Sequence, residues 1–141
     1  MSLHRDVKMQ LIRTIGLFSG CTVDELHEVA AIADEIDLRA GKVLTTEDTD
    51  GREFVVIIEG QAQVAKHGEV VATIGPGSWV GEISLLTGQP RTATVTAVTP
   101  VRALVIEGHR FKHLFEHSPQ IRSKIEAVLA ERTAADTART G

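Results

Sequence analysis

The segment VGEISLLTGQPRTATV, residues 80–95, holds one carboxylate and one guanidinium among apolar, small and hydroxyl side chains. The carboxylate of Glu82 can only accept hydrogen bonds, so it suits a hydroxyl or an amine. The guanidinium of Arg91 presents a planar fork of donors that matches two phosphate oxygens. Because charged side chains are rarely buried without a partner, they face either water or a molecule outside the chain. A ribose phosphate, with an anion beside a hydroxyl, would satisfy both side chains.

The backbone around Glu82 has a second feature that suits an anion. Gly81 precedes the apolar run ISLL, which indicates a short helix entered from a strand, and glycine allows close approach to the backbone. The first turn of a helix offers backbone N–H groups without intrahelical acceptors, together with the positive end of the helix dipole. The chain contains no Gly-Lys-Ser or Gly-Lys-Thr sequence, so a triphosphate held with magnesium by a Walker loop is not expected.

The elements that must position this segment follow from the periodicity along the chain. Residues 1–35 carry apolar side chains at helical spacing. Residues 36–107 consist of short β-branched runs separated by glycine, which predicts a small sandwich or barrel with hairpin turns at KHGE and IEGQ. The period becomes helical again over residues 108–131. Residues 132–141 are small and polar without an apolar stripe, which predicts a disordered tail.

Composition limits the class of protein. The 141 residues suffice for one domain, and 43% hydrophobic and 24% charged residues are typical of globular proteins. The formal charge of −4 argues against nucleic acid or an anionic membrane as a partner, because both favour a basic face. Cys21 is the single cysteine, which excludes an internal disulfide and favours a reducing compartment. The sequence predicts neither a signal peptide nor a transmembrane helix, so we expect a cytoplasmic protein.

The segment Gly81–Val95 resembles the phosphate-binding cassette of the cyclic nucleotide-binding domain family. That family includes the bacterial catabolite activator protein, the regulatory subunits of cyclic-AMP-dependent protein kinase, and cyclic-nucleotide-gated channels. Its pattern runs approximately F-G-E-(L/I)-A-L-x-x-x-x-P-R-(S/T/A)-A-(T/S)-V, where this chain reads V-G-E-I-S-L-L-T-G-Q-P-R-T-A-T-V, and the resemblance extends over residues 10–132. It implies a mainly β fold: an eight-stranded antiparallel β-roll, jelly-roll-like (a double-stranded β-helix), with N-terminal helices and C-terminal lid helices.

The resemblance also implies a role for particular residues of the cassette. Glu82 would accept from the ribose 2′-hydroxyl, Arg91 would pair with the cyclic phosphate, and Gly81 would sit between them at the helix start. Backbone N–H groups of four further residues would complete the phosphate cradle: Ile83, Ser84, Thr92 and Ala93. The last helix, Gln120–Glu131, would close over the base.

Three positions depart from the family pattern. Val80 stands where the family usually has phenylalanine, Ser84 where it usually has alanine, and Asp48 where glycine is common. None of these changes removes a charged ligand contact. Thr92 bears on the choice of base, because threonine at this position bonds the guanine amino group in some members. Members with threonine also bind cyclic AMP (cAMP), so we favour cAMP and leave cyclic GMP (cGMP) open.

Other residues outside the cassette could carry chemistry of their own. His109, His113 and His117 lie four residues apart, a spacing that can chelate a transition metal, but they fall opposite the apolar face and indicate a solvated face. Cys21 precedes a helix start, which can lower the pKa of a thiol, yet we interpret it as structural. We interpret Trp79 as a packing residue. No catalytic triad or paired carboxylate emerges, so we expect neither an enzyme nor a metal or cofactor.

The leading hypothesis is a cyclic nucleotide-binding sensor that signals by repositioning its last helix. Three alternatives stay open: a degenerate β-roll that serves as a structural or interaction module, the sensor fragment of a longer transcription regulator, and a metal-dependent jelly-roll enzyme. The chain ends before the helix-turn-helix of such a regulator, so we expect no direct nucleic acid binding. The apolar stripe of the last helix fits core, lid or dimer seam, so a homodimer or an effector could bind the C-terminal helices.

Overall fold

A computed structural model describes the backbone of residues 3–140 and the side chains of residues 8–132. Helices come first, then strands interrupted by one short helix, then helices again, as the sequence predicts. The elements in chain order are α1 (Leu3–Arg13), a 3₁₀ turn (Gly16–Phe18), α2 (Val23–Ile32), β1 (Ala33–Leu38), β2 (Val43–Thr45), β3 (Glu53–Glu59), β4 (Ala62–Lys66), β5 (Glu69–Ile74), β6 (Trp79–Val80), α3 (Glu82–Thr87), β7 (Thr94–Ala97), β8 (Val101–Glu107), α4 (Gly108–His117) and α5 (Pro119–Thr140). Within residues 3–140, no helix is both long enough and apolar enough to span a bilayer.

The eight strands form two antiparallel sheets of four strands each. The first sheet has the order β1-β8-β3-β6 and the second has the order β2-β7-β4-β5. Every strand pair is antiparallel, and in the second sheet β7 bonds to β2 on one side and β4 on the other. The predicted eight-stranded antiparallel β-roll with flanking helices is therefore confirmed.

The central strands of the first sheet, β3 and β8, are buried on both faces because they separate two apolar cores. Side chains along a strand point alternately to opposite faces. Val55 and Ile57 belong to the core of the roll, whereas Phe54 and Val56 pack with the helices. The ring of Phe54 stacks on Phe111 of α4 with 4.3 Å between centroids. Double burial explains why β3 reads as a continuous apolar run and not as an alternating one.

Turn geometry confirms one predicted hairpin and corrects the other. The KHGE hairpin joins β4 to β5, and His67 and Gly68 have φ values of 53° and 81°, as a type I′ turn requires. The prediction of a hairpin at IEGQ is wrong, because β3 pairs with β6 and β8 while β4 pairs with β5 and β7. This segment crosses between the sheets at Gly60, where a Cβ would lie 2.2 Å from the carbonyl oxygen of Pro100.

The ends of the helical regions differ from the predicted boundaries. The strands begin at Ala33, not at residue 36, because residues 33–38 pair in register with β8. The sequence predicts a last helix that ends at Glu131 and a disordered tail at 132–141, but α5 continues to Thr140. The segment TAADTART contains neither glycine nor proline, so nothing in it interrupts a helix. Gly141, the end of the predicted tail, lies outside the described residues.

Candidate functional site

A cavity of about 310 Å³ is bounded by strands of the second sheet, by the start of α3 and by α5. The cavity is lined by all seven cassette residues for which the sequence predicts ligand contacts: Gly81, Glu82, Ile83, Ser84, Arg91, Thr92 and Ala93. They come from two short stretches: residues 81–84, which include the first turn of α3, and residues 91–93, which follow that helix. The structure therefore brings the selected residues together, and their contacts with a ligand remain a prediction.

Gly81 makes the close packing at the start of α3 feasible. Its φ is 105°, in the left-handed region that favours glycine, and it precedes the first residue of α3. A Cβ at this position would lie 2.5 Å from Arg91 Nη1 and 2.5 Å from the carbonyl oxygen of Glu53. Ile83 and Ser84 follow in the first turn of α3, where backbone N–H groups lack intrahelical acceptors. Glycine thus allows the guanidinium to lie directly against the helix start.

Arg91 is a buried cation whose Nη1 is unused within the described part of the chain. Its side chain is 8% exposed, and Nη2 donates to the carbonyl oxygen of Glu53 at 2.9 Å. Burial lowers the pKa of the guanidinium, while the charges of Glu53 and Glu82 raise it. Arginine nevertheless stays protonated in proteins. Among the described residues, Arg91 Nη1 has no hydrogen-bond partner, so this buried donor can serve an anion.

The backbone of Arg91 is anchored to the loop that follows β2. Its N–H donates to the carbonyl oxygen of Thr49 at 2.7 Å, and its carbonyl oxygen accepts from the N–H of Asp48 at 2.9 Å. Asp48 has a φ of 66°, so this aspartate adopts the left-handed conformation where the family commonly has glycine. Aspartate at position 48 is therefore compatible with the left-handed turn that anchors Arg91.

Glu82 is the buried anion of the site, with 1% of its surface exposed. Its Oε1 accepts from Nη1 of Arg132 on α5 in an ion pair. Its Oε2 is buried and has no hydrogen-bond partner within the described part of the chain. The carboxylate thus keeps one acceptor that nothing described in the protein uses.

Thr92 and Ala93 connect the buried arginine to strand β7. The carbonyl oxygen of Ala93 accepts from Thr45 Oγ1 at 3.1 Å, which ties the segment to β2. Thr92 is half-buried and lines the cavity. Thr92 is therefore part of the cavity lining, and its role in the choice of base remains a prediction.

Sequence reasoning missed the wall of the cavity and the contact from α5. Residues of β4 and β5 supply a mostly apolar wall: Val64, Val71, Ala72 and Ile74. Arg132 fell in the predicted tail, yet it lines the cavity and binds Glu82. A signal for it was present, because Arg132 lies seven residues after Ile125 and so falls on the same helical face. The residues of the apolar wall had no comparable signal in the local sequence, because only the pairing of β4 and β5 within the sheet brings them next to the cassette.

The three histidines of α4 lie on a solvated face, as predicted. His109, His113 and His117 are all exposed. The rings of His113 and His117 stack at 4.1 Å, and His117 Nδ1 lies 2.8 Å from the carbonyl oxygen of His113. The part of the chain with described side chains contains no group of three residues that could hold a metal ion.

Cys21 and Trp79 take the structural positions that the sequence predicts. Cys21 is half-buried, and burial followed by the charge of Glu25 raises the pKa of its thiol, opposite to the effect of a helix start. Trp79 packs partly buried against the core beside the helices. Its Nε1 is buried and has no hydrogen-bond partner among the described residues, and its carbonyl oxygen accepts from Arg132 Nη2 at 2.7 Å.

Comparison with known proteins identifies related sequences. The sequence profile described as the cyclic nucleotide-binding domain matches residues 35–118. The chain is 31% identical over 126 residues to the cyclic nucleotide-gated potassium channel mll3241 of Mesorhizobium japonicum (89% of this chain, 35% of that protein). It is 40% identical over 105 residues to the cAMP-dependent protein kinase regulatory subunit of Yarrowia lipolytica (73% and 28%). It is 30% identical over 134 residues to the acetyltransferase Pat of Mycolicibacterium smegmatis (92% and 40%). The chain thus spans well under half the length of these three relatives.

Solved structures share the fold at low sequence identity. The structure of PfPKA-R with bound cAMP superimposes with a TM-score of 0.84 at 22% identity, covering 92% of this chain and 45% of that one. The regulatory subunit of a cAMP-independent protein kinase A from Trypanosoma brucei superimposes with a TM-score of 0.81 at 20% identity (88% and 45%). The two neighbours have the same fold, although one is described as bound to cAMP and the other as belonging to a cAMP-independent kinase.

Proposed function

The chain belongs to the cyclic nucleotide-binding domain family, and on this premise we propose that it is a sensor domain that binds cAMP in the cavity beside α3. Glu82 accepts a hydrogen bond from the ribose 2′-hydroxyl, and Arg91 donates to the cyclic phosphate. Backbone N–H groups of the two cassette stretches complete the phosphate cradle: Ile83, Ser84, Thr92 and Ala93. The ligand is the nucleotide itself, and no metal or further cofactor is part of this proposal.

The observation that carries the proposal is a pair of unused buried polar atoms on two residues that line one cavity. Glu82 Oε2 and Arg91 Nη1 are both buried and lack partners among the described residues. An unsatisfied buried polar group costs about 1–3 kcal/mol, and more when it is charged. One of these atoms only accepts and the other only donates. A ribose phosphate supplies a hydroxyl donor for the first and an anionic acceptor for the second.

Two observations bear on which cyclic nucleotide binds better: the apolar wall of the cavity and the name of a related protein. Val64, Val71, Ala72 and Ile74 provide apolar surface for a purine ring. A relative that is 40% identical is named as a cAMP-dependent regulatory subunit. Thr92 offers a hydroxyl that can accept from the amino group of guanine. The apolar wall suits either purine and the Thr92 hydroxyl admits cGMP, so the named relative is what favours cAMP. We propose cAMP as the better ligand and cGMP as a weaker one.

We propose that this module signals by a shift in conformational populations, with α5 as the moving element. Arg132 of α5 contacts Glu82, so a ligand in the cavity lies beside that helix. A ligand shifts the equilibrium only as far as its affinities for the docked and released states differ. The output would pass through α4 and α5 to an effector or a second copy of the chain. The acetyltransferase relative indicates that a domain of this family also occurs within an enzyme.

One alternative function is favoured by a specific comparison. A structural neighbour with the same fold belongs to a kinase described as cAMP-independent. The corresponding hypothesis for this chain is a β-roll that keeps the cassette geometry and serves as a structural or interaction module. The two unused buried atoms on residues that line the cavity favour the sensor over this alternative.

Isothermal titration calorimetry with cAMP and cGMP on the purified chain tests the proposal. We expect saturable binding of one nucleotide per chain, with higher affinity for cAMP than for cGMP. Adenosine, which lacks the phosphate, serves as the control and should bind far more weakly. Absence of heat for both nucleotides up to millimolar concentration would overturn the sensor and favour the structural module.

A further inference from the structure

Helix α5 reaches the cavity through the side chain of Arg132. Nη1 of Arg132 donates to Glu82 Oε1, and Nη2 donates to the carbonyl oxygen of Trp79 at 2.7 Å. Trp79 lies in β6, and Glu82 is the first residue of α3. One guanidinium therefore binds α5 to both elements at the edge of the cavity.

This contact fixes the carboxylate of Glu82 without saturating it. A carboxylate offers about four acceptor sites on its two oxygens. Arg132 engages Oε1, whereas Oε2 has no partner among the described residues. Glu82 and Arg132 both line the cavity, which retains a volume of about 310 Å³ with the guanidinium in place. The acceptor capacity of Oε2 is therefore unused within the described residues while Arg132 is bound to Oε1.

We infer that Arg132 is a positioning residue: it holds Glu82 for the ligand hydroxyl and makes recognition of that hydroxyl depend on the docked position of α5. The inference rests on the proposed function and identifies the contact through which the helix responds to the site. Docking of α5 raises the affinity of Glu82 for the ligand hydroxyl by some factor. Because linkage is reciprocal, binding of the hydroxyl shifts the docking equilibrium of α5 by the same factor.

The first turns of α5 are held by other contacts, so Arg132 acts on the distal part of the helix. Ser118, just before α5, donates from Oγ to Glu25 Oε2 at 2.8 Å. Lys124 donates from Nζ to Ser19 Oγ at 2.6 Å, next to the 3₁₀ turn. These contacts anchor the base of α5 to the N-terminal segment. Loss of the Arg132 contact would therefore release the distal turns while the base stays in place.

The binding test uses Arg132→Met, which keeps the aliphatic stem and removes the donors, with cAMP and 2′-deoxy-cAMP as ligands in calorimetry. We expect the affinity for cAMP to fall about tenfold, a typical size for coupling between two sites. The affinity for the 2′-deoxy analogue should stay near that of the wild type, because the contact acts through Glu82 on the hydroxyl. Both ligands carry the same charge, so the ratio of their affinities cancels any general effect of removing a cation.

Matched variants complete this test. Glu131→Gln changes an exposed neighbour on the same helix and should leave the ratio of the two affinities unchanged. In a Glu82→Gln background, Arg132→Met should have little further effect on cAMP, because the two residues act as one unit. The double variant also avoids a buried carboxylate without a partner. An equal loss for both ligands, or tighter cAMP binding by Arg132→Met, would overturn the positioning role.

Hydrogen exchange on the ligand-free protein separates this inference from the proposed function. Arg132→Met should speed amide exchange in the distal turns of α5 around residues 126–132 and leave the turns at Lys124 unchanged. Normal nucleotide binding by the wild type with unchanged exchange in the variant would overturn the role of Arg132 alone. Absence of nucleotide binding by the wild type would overturn the proposed function and the positioning role with it, whatever the exchange shows about docking.

Discussion

At the residue scale, the buried guanidinium of Arg91 fits its position because two glycines leave room for it. A Cβ at Gly81 would lie 2.5 Å from Arg91 Nη1, and a Cβ at Gly51 would lie 2.8 Å from Arg91 Nε and 2.5 Å from the Cβ of Ser84. Gly51 belongs to the loop before β3, outside the cassette. The position of the cation is therefore set by close backbone approach from two distant parts of the sequence.

Arg91→Ala should weaken cAMP binding by one to two orders of magnitude or more. A hydrogen bond to a charged group contributes roughly 1.5–3 kcal/mol, and Arg91 Nη1 is the buried donor that the phosphate would use. Calorimetric titration of the variant measures the loss. Arg102→Ala removes an equal charge from a surface ion-pair group that does not line the cavity, and it should change the affinity little. Equal losses of cAMP affinity in the two variants would show that Arg91 does not bind the phosphate.

Thr92→Ala should change selectivity more than it changes the affinity for cAMP. Thr92 lines the cavity, and a threonine hydroxyl can accept from the amino group of guanine, which adenine lacks at that position. Loss of a neutral hydrogen bond of about 0.5–1.5 kcal/mol would lower the affinity for cGMP roughly two- to tenfold. Competition titrations with both nucleotides give the ratio. An unchanged ratio of the two affinities would exclude Thr92 as the residue that reads the base.

At the element scale, one carboxylate joins the starts of two helices. Glu25 Oε1 accepts from the backbone N–H of Thr22 at 2.9 Å, while Thr22 Oγ1 accepts from the N–H of Glu25, completing the capping box of α2. Glu25 Oε2 accepts from Ser118 Oγ at 2.8 Å, just before α5. The backbone bond from Thr22, followed by the bond from Ser118, lowers the pKa of Glu25. The same carboxylate therefore stabilises α2 and anchors α5.

The hydrogen bonds of Glu25 imply that its contribution to the free energy of unfolding depends on pH. Because the pKa of Glu25 is lower in the folded state, its charge stabilises the fold above the ordinary glutamate pKa of about 4.3. That contribution is lost as pH falls through the lowered value. Glu25→Gln should therefore cost about 0.3–1 kcal/mol at pH 7, the usual worth of an anion at a helix start. The difference from the wild type should shrink below about pH 4.

Urea unfolding at a series of pH values measures this difference in the free energy of unfolding. Glu126→Gln replaces an exposed carboxylate in the middle of α5 and serves as the control, with little expected change at any pH. A constant difference between wild type and Glu25→Gln from pH 7 down to pH 3 would show that the charge of Glu25 does not stabilise the junction.

At the scale of the whole molecule, the cavity and the N-terminal helices are connected through α5. The first turns of α5 bind the 3₁₀ turn and α2 through Lys124 and Ser118, and its distal part binds the cavity through Arg132. Helix α4 packs on the first sheet through Phe111 and Phe54. Under the proposed function, a ligand that favours one position of α5 would act on a helix held at its base and again at Arg132, and the change would pass to the N-terminal segment.

Ligand binding should therefore raise the stability of the whole domain. At a cAMP concentration 100 times the dissociation constant, the folded state gains about 2.7 kcal/mol, which raises Tm by several degrees for a domain of this size. Differential scanning fluorimetry with increasing cAMP measures the shift. The same cAMP concentration should give Arg91→Ala a much smaller shift. A Tm that does not respond to cAMP in the wild type would contradict specific binding to the folded chain.

The sequence by itself determined the chemistry of the cassette and the class of fold. Glu82 and Arg91 belong to one contiguous segment, so their types, their spacing and the glycine before α3 could be read directly. Strand and helix periods are local properties, and they predicted the order of helices and strands and the KHGE hairpin. The sequence also predicted that His109, His113 and His117 face water, because the periodicity of α4 fixes the face on which they lie.

Only the tertiary structure decided which distant groups complete the site. Arg132 lies 50 positions from Glu82, and the apolar wall comes from β4 and β5 through strand pairing. The IEGQ segment has the composition of a hairpin turn but crosses between sheets, because pairing with β8 and β6 places β3 in the other sheet. Local patterns specify an element and its buried face, whereas partners distant in sequence depend on the packing of the whole chain. For that reason the two charges of the cassette were predictable. Helical periodicity indicated the face of α5 on which Arg132 lies, but only the packing of the chain showed that its partner is Glu82.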